Sequence, residues 1–175
     1  MDNSLPVIYL SLLLLILGAA GVVILRQIFK TRKVEGKLSK LEKKLKEKRG
    51  TVGDYYELGS IYLDKKLYAQ AVILFQKALK ASNAEEENLA PVYNALGFAY
   101  FSQEQYDIAI RQYKEALKQE PEYVTALNNL GHVYERKKLT AQALESYEEA
   151  LKYAPENETS KRRSESLRKR LVPSN

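Results

Sequence analysis

The chain repeats itself, and this constrains its fold more than any other feature. A set of tyrosine, leucine, glycine, alanine, aromatic and proline residues recurs three times at matching offsets. The glycines of the set are Gly59, Gly97 and Gly131, so the repeats are 38 and 34 residues apart and the first interval holds a four-residue insertion. Self-similarity at such a period indicates a stack of small supersecondary units, each contacting only its neighbours.

The three copies match the tetratricopeptide pattern, a helix-turn-helix unit of 34 residues. The matching residues are Tyr55, Leu58, Gly59, Tyr62, Ala71, Phe75 and Ala78, then Tyr93, Leu96, Gly97, Tyr100, Ala109, Tyr113, Ala116 and Pro121, and finally Leu127, Leu130, Gly131, Tyr134, Ala143, Tyr147, Ala150 and Pro155. We expect the small residues to let paired helices approach, the aromatics to fill the space between repeats, and the prolines to end the second helices. Two positions depart from the pattern: Asn83 replaces the closing proline, and Leu127 replaces tyrosine.

Residues 3–25 carry no charge, and a helix over residues 5–25 spans the roughly 30 Å hydrocarbon core of a bilayer. We therefore predict a transmembrane anchor in residues 1–29. A cleaved signal peptide is disfavoured, because Asp2 rather than a basic residue precedes the apolar run, which continues past Gly18. Arg26 and Lys30 follow the span, which predicts that the repeats face the cytosol or stroma.

A basic stalk is predicted for residues 30–50, with ten bases against three acids. Val34, Leu38, Leu41 and Leu45 form a narrow apolar stripe at helical spacing. Three interpretations stay open: a helix on anionic lipid, which we favour, a helix docked on the repeats, or a dimer seam. Gly50 and Gly53 predict a boundary after it.

The repeats, residues 51–157, divide into 52–85, 90–123 and 124–157 and carry eleven bases against sixteen acids. The insertion near Glu85, Glu86, Glu87 and Asn88 is interpreted as a solvated loop, with a cation site as the alternative. Residues 158–175 carry six bases against two acids and are predicted to form a capping helix and tail. That basic segment also suits lipid or an acidic partner.

The composition argues against catalysis, and we predict no enzyme activity, cofactor or metal site. The chain has no cysteine and one histidine, His132, so it has neither a thiolate site nor the residues of a catalytic triad. It has no glycine-rich phosphate loop. Its net positive charge lies in the segments that flank the repeats, whereas the repeats are net acidic, which argues against nucleic-acid binding.

Resemblance to tetratricopeptide proteins implies that the first helix of each repeat lines a concave groove. The implied protein-binding residues are Tyr56, Ser60, Leu63, Asn94, Phe98, Phe101, Asn128 and His132. We expect the phenylalanines to act as apolar anchors and the asparagines to hydrogen-bond a peptide backbone. Receptors for chaperone tails carry a clamp of lysine, asparagine and arginine, but this sequence has no cation at the matching positions, among them Tyr56, Thr125 and Asn129.

The whole chain resembles the membrane-anchored tetratricopeptide proteins of cyanobacteria and red-algal plastids that assist photosystem I assembly. The resemblance rests on Tyr9 and the leucine-rich run at residues 10–17, the exit sequence from Arg26 to Glu35, the three repeats and the brief basic tail. It implies an anchor in the thylakoid membrane, repeats facing the stroma or cytoplasm, and binding of photosystem I subunits or assembly factors. Two alternatives stay open: a membrane-tethered receptor for import, secretion or another complex, and a regulator or dimeriser acting through the stalk.

Overall fold

The computed structural model describes residues 4–47, 50–82 and 88–171. These residues form eight α-helices and no strand, so the predicted all-α fold is confirmed. The helices are α1 Ser4–Glu47, α2 Val52–Asp64, α3 Tyr68–Ala81, α4 Ala90–Ser102, α5 Tyr106–Gln119, α6 Val124–Arg136, α7 Thr140–Tyr153 and α8 Glu158–Leu171. The departure at Asn83, the acidic insertion and the tail beyond residue 171 lie outside the described residues, as does Asp2.

The chain forms two compact units, residues 1–47 and 48–175. The first contains α1, a single helix of 44 residues that continues through Gly18 and Gly36. By length and composition, α1 is long and apolar enough to cross a membrane. Its apolar side chains are largely exposed from Val7 to Phe29. The predicted anchor and residues 30–47 of the predicted stalk thus belong to one uninterrupted helix.

The second unit begins with a capped helix. Thr51 precedes α2, and its hydroxyl oxygen accepts a hydrogen bond from the Asp54 backbone N–H at 3.2 Å. The Asp54 carboxylate accepts one in return from the Thr51 N–H at 3.0 Å. This capping box satisfies two backbone donors that a helix start leaves unpaired. It fixes the start of α2 at Val52 and places Gly53 in the first turn, so Gly53 does not interrupt the helix.

The remaining helices pack in sequence. α2 packs on α3, α4 on α5 and α6 on α7, and each pair contacts the next through α3 with α4 and α5 with α6. Phe75, Tyr113 and Tyr147 are almost wholly buried within these pairs. Each ring lies directly over the glycine of its own repeat, which confirms the predicted close approach. A Cβ added at Gly97, for example, would be 2.7 Å from the Tyr113 ring.

The turn within each repeat is the same in all three copies. Its central residue is Lys66, Glu104 or Lys138, and each has a φ of 60° or 61°, in the left-handed region that favours glycine. The next residue donates its backbone N–H to the carbonyl five residues earlier, at 2.8 or 2.9 Å. This bond and the left-handed residue define a Schellman-type helix end. The turn directs the second helix of each repeat back along the first.

The array ends at α8, which packs on α7. Pro121 and Pro155 follow α5 and α7 by two residues, and the residue before each proline has left the helical conformation, as expected for a helix end. α8 then buries Leu167, which is 2% exposed, together with two serines. It therefore covers the apolar face that the third repeat would otherwise expose.

Candidate protein-binding groove

The first helices of the repeats, α2, α4 and α6, carry all the predicted groove residues. α4 contacts both α2 and α6, so the three helices form one face. Tyr56, Ser60 and Leu63 lie on α2, Asn94, Phe98 and Phe101 on α4, and Asn128 and His132 on α6. These side chains divide into an accessible aromatic group and a group whose contacts lie within the fold. Their use in binding stays a prediction.

An aromatic cluster lies at the junction of the second and third repeats. It consists of Phe98, Phe101, Tyr106 and His132. The Phe101 ring centroid is 6.5 Å from that of Phe98, 5.7 Å from Tyr106 and 4.9 Å from His132. Tilted rings at such separations attract one another. Phe98 is 42% exposed and the other three are half-buried, so part of the apolar surface of the cluster is accessible.

A cation borders this aromatic cluster. The Arg136 guanidinium carbon lies 5.9 Å from the Tyr106 ring centroid, within range of a cation–π interaction. Arg136 also donates a hydrogen bond to the Tyr106 hydroxyl at 3.1 Å and lies 4.0 Å from the Glu104 carboxylate. A guanidinium carries five N–H donors, so these contacts leave donors for a polar group of a ligand.

Beneath the cluster, Glu135 links three helices. Its carboxylate accepts a hydrogen bond from the Tyr147 hydroxyl at 2.8 Å and lies 3.5 Å from the Arg163 guanidinium of α8. Burial, followed by the positive charge of Arg163, lowers the pKa of His132 below its ordinary value. The imidazole is therefore neutral at neutral pH, which suits its contact with Phe101.

The predicted groove residues of the first repeat are more engaged in the fold. The Tyr56 ring lies 5.9 Å from the buried ring of Phe75, and Leu63 packs on the same core. The Ser60 hydroxyl donates to the Tyr56 carbonyl at 2.9 Å. Such back-bonding to the preceding turn is an ordinary local use of a helical serine. This end of the face offers less accessible apolar surface than the aromatic cluster.

The two predicted asparagines join neighbouring helices. Asn94 accepts a hydrogen bond from the Asn129 amide at 2.9 Å, which links α4 to α6. Asn128 donates to the Asn157 side chain at 3.2 Å and accepts from the buried Ser160 hydroxyl at 2.6 Å. Both amides therefore stabilise junctions within the stack. A peptide would have to use their remaining donors and acceptors.

Three side chains near the groove were not predicted as part of it: Tyr106, Asn129 and Arg163. Tyr106 begins α5, outside the first helices to which the family resemblance assigns the groove, although Tyr68 holds the same position in the first repeat and was a usable signal. Arg163 approaches from the capping helix. The described residues contain no group of three or more histidine, aspartate or glutamate side chains placed to hold a metal ion.

The helix pairs and the three matches to the tetratricopeptide repeat family, at residues 55–85, 97–138 and 124–157, define a tetratricopeptide-repeat protein. Proteins of this class typically act as scaffolds for protein interaction. Two solved structures agree: MamA, with a TM-score of 0.72 at 23% identity over 80% of each chain, and YrrB, described as having an unusual peptide-binding site. YrrB has a TM-score of 0.66 at 20% identity, over 81% of this chain and 71% of its own. These likenesses show the fold alone.

The chain belongs to the ycf37 family of tetratricopeptide-repeat proteins. It is 39% identical to ycf37 of Cyanophora paradoxa over 126 residues, which cover 72% of this chain and 73% of that protein. It is 40% identical to ycf37 of Guillardia theta over 128 residues, 73% of this chain and 72% of that protein. A chloroplastic relative, PYG7 of Arabidopsis thaliana, is 34% identical over 71% of this chain but only 42% of its own length. The family predicted from the sequence is thereby confirmed.

Proposed function

We propose that this protein is a thylakoid membrane-anchored scaffold whose groove binds a segment of a photosystem I subunit or assembly factor while the complex is built. The observation that carries the proposal is the aromatic cluster. Phe98 is exposed where a monomeric domain normally buries phenylalanine, and its ring contacts Phe101, which in turn contacts His132. Aromatic anchors with a neighbouring arginine are typical of the residues that dominate binding energy at interfaces.

The proposed location rests on α1 and on the relatives. α1 has the length and composition of a membrane span, and basic residues follow its apolar part. By the positive-inside rule, the repeats then face the stroma or cytoplasm. A chloroplastic relative supports a plastid or cyanobacterial setting. The choice of photosystem I as the assembly that the scaffold serves rests on the family resemblance seen in the sequence, from the apolar N-terminal run to the basic tail.

The proposal is tested by affinity purification of the tagged full-length chain from its own membranes. We expect photosystem I subunits to co-elute with the wild type. Their recovery should fall at least about tenfold with the Phe98→Ala, Phe101→Ala double variant, because loss of a hot-spot residue costs about 2 kcal/mol or more of binding free energy. Ile73→Ala is the matched control, since Ile73 is 52% exposed but lies on α3, away from the groove helices. It should leave recovery unchanged.

Phe101 also packs on neighbouring rings, so the double variant is checked for folding by thermal denaturation. Phe98→Ala, which removes the more exposed ring, provides the test if the double variant is unstable. Recovery of import or secretion components alone would contradict the assembly function and favour a membrane-tethered receptor. Equal losses in Ile73→Ala and the groove variants would contradict the assignment of the groove.

A further inference from the structure

Beyond its apolar part, α1 carries bases and acids on different sides. Successive residues of a helix are about 100° apart around its axis. With that spacing, all eight bases between residues 26 and 44 fall within an arc of about 160°, and Glu35 and Glu42, the two acids of this stretch, fall outside it. The bases are Arg26, Lys30, Arg32, Lys33, Lys37, Lys40, Lys43 and Lys44. The apolar stripe of the stalk also lies outside the arc, so α1 has one separate basic face.

A shallow cleft of about 440 Å³ lies on this basic face, and we call it the Gly36 cleft. It is lined by Arg32, Lys33, Gly36, Lys37 and Lys40, all of which are exposed. Gly36 lies about one helical turn from Arg32 and one from Lys40. A Cβ added at Gly36 would meet no atom within 4 Å. The missing side chain therefore leaves room for a small group to approach the helix backbone among four cations.

The chemistry of the Gly36 cleft suits a phosphate. Within the described part of α1, Arg32, Lys33 and Lys40 have no ion-pair partner, so their charges are available to a ligand. A guanidinium matches two phosphate oxygens at once, and an ammonium binds phosphate as a compact point charge. The methylene stems of these side chains offer apolar walls beside the charged ends. A phosphate that carries an apolar group can use both.

The position of the cleft along α1 indicates the source of that phosphate. The exposed apolar side chains of α1 end at Phe29. A rise of about 1.5 Å per residue puts Arg32 about 5 Å and Gly36 about 10 Å beyond Phe29. The headgroup layer is roughly 5–8 Å deep on each side of a bilayer, and long basic side chains can extend back toward it. With α1 spanning the membrane, the cleft therefore meets the headgroups of the leaflet that the helix leaves.

We propose that the Gly36 cleft binds the phosphate headgroup of an anionic lipid in the leaflet on the repeat side of the membrane. The proposal rests on the proposed membrane anchor and is independent of the groove. It differs from a stalk that lies flat on lipid, because the contact is made by the basic face and α1 continues without interruption through residues 30–47. Since the cations lie on one side of α1, the lipid binds on that side alone.

The test titrates the full-length chain in a neutral detergent with phosphatidylglycerol, and native mass spectrometry counts the bound lipids. We expect one lipid to bind with half-saturation at least about tenfold below that of phosphatidylcholine, which has no net charge. Lys33→Gln should raise the half-saturation concentration about fivefold, as expected for one base at an anionic headgroup. Gly36→Leu should also raise it about fivefold, because it fills the cleft while keeping every charge.

Each variant has a matched control on α1. Lys46→Gln removes the same charge at an exposed position outside the basic face, about 20 Å from Lys33 along the helix. Thr31→Leu adds the same side chain as Gly36→Leu at an exposed position about 140° around the helix from Gly36. Both controls should change the half-saturation concentration less than about twofold.

Equal binding of the two lipids, or unchanged titrations with Lys33→Gln and Gly36→Leu, would overturn the proposal. Equal effects of the controls would show that total charge, and not the cleft, determines binding. Displacement of the lipid by an equal concentration of inorganic phosphate would assign the cleft to a free anion, and equally tight binding of a glutamate-rich peptide would assign it to an acidic protein. Either result contradicts the lipid assignment.

A separate measurement distinguishes failure of the anchor from failure of the cleft. The wild type and all four variants should stay in their own membranes after an alkaline carbonate wash, which releases proteins that do not span the bilayer. Release of the wild type would contradict the proposed anchor. Retention of the wild type without a preference for phosphatidylglycerol would contradict the lipid site alone.

Discussion

Three glycines each lie beneath an aromatic ring in the repeats, and this contact sets the distance between paired helices. A Cβ added at Gly59, Gly97 or Gly131 would lie 2.6–2.8 Å from a ring carbon, closer than side chains pack. The rings are almost wholly buried, so they have little room to move away. Glycine is therefore required here by close approach, whatever its cost to helix stability.

We predict that Gly97→Ala lowers the free energy of unfolding by about 1–3 kcal/mol, because overpacking a close-packed core outweighs the gain in helix propensity. The measurement is urea denaturation of the full-length chain followed by circular dichroism. Gly53→Ala is the matched control, since a Cβ there would meet only the Thr51 hydroxyl oxygen at 3.9 Å. It should raise the free energy of unfolding by up to about 1 kcal/mol. Destabilisation by both variants alike would contradict the packing explanation.

Sequence reasoning at the level of single residues succeeded where the repeat fixes a residue's role and failed where two side chains must meet. The glycines and closing prolines follow from the pattern, because every copy needs them for the same reason. The partners of Asn94 and Asn128 do not, since Asn129, Asn157 and Ser160 lie 29 to 35 residues away along the chain. Only the packing of one repeat on the next brings them into contact.

Among the helices, α8 has the least apolar composition yet completes the fold. Its buried residues are Leu167 and two serines, and Ser160 bonds to Asn128 of the third repeat. Arg168 and Arg163 make ion pairs with α7 and α6. The Arg168–Glu148 pair is exposed and such pairs contribute little, so the buried leucine carries much of the docking energy, together with the contact of Arg163 to the largely buried Glu135.

We predict that Leu167→Ala destabilises the docking of α8 by about 2–4 kcal/mol, as expected for a leucine that leaves a cavity. Hydrogen exchange followed by mass spectrometry should show faster exchange in α8 and α7 but not in α2 and α3, because stacked repeats interact only with their neighbours. Leu171→Ala, at a position 47% exposed, is the control and should change neither. Uniformly faster exchange along the whole array would contradict this local coupling.

Element boundaries were predictable wherever a local signal exists. The start of α2 differs from the simplest expectation because the capping box of Thr51 and Asp54 places the start before Gly53. The turns at Lys66, Glu104 and Lys138 show the opposite case. Residues in the left-handed conformation are usually glycine or asparagine, so the lysines and the glutamate at these positions did not indicate that conformation in the sequence.

At the scale of the whole chain, charge is divided by region. The repeats are acidic, and basic segments lie before and after them. This division explains how a chain with a formal net charge of +6 can present an acidic body. It also supports the proposed orientation. Basic residues that directly follow a membrane span stay on the stromal or cytoplasmic side, which is where the repeats are proposed to lie.

Because the chain contains no cysteine, a thiol-reactive label can attach only at an engineered cysteine, and its reaction shows on which side of the membrane that residue lies. We predict that Lys80→Cys, on the exposed surface of α3, reacts with a membrane-impermeant maleimide on the stromal side of intact thylakoids. Asp2→Cys should react only after detergent is added. Reaction of both in intact membranes would argue against a spanning α1, and the reverse pattern would contradict the proposed orientation.

The end of the array has a further consequence. A solenoid whose last repeat exposes its apolar face is a template for the first repeat of another copy, and such head-to-tail contacts form open filaments when the rotation does not close. Here α8 presents exposed Arg162, Lys169 and Arg170 at that end, and none of them has an ion-pair partner among the described residues. Because α8 covers the apolar face of the third repeat and presents a solvated basic surface in its place, it removes the apolar template for such contacts.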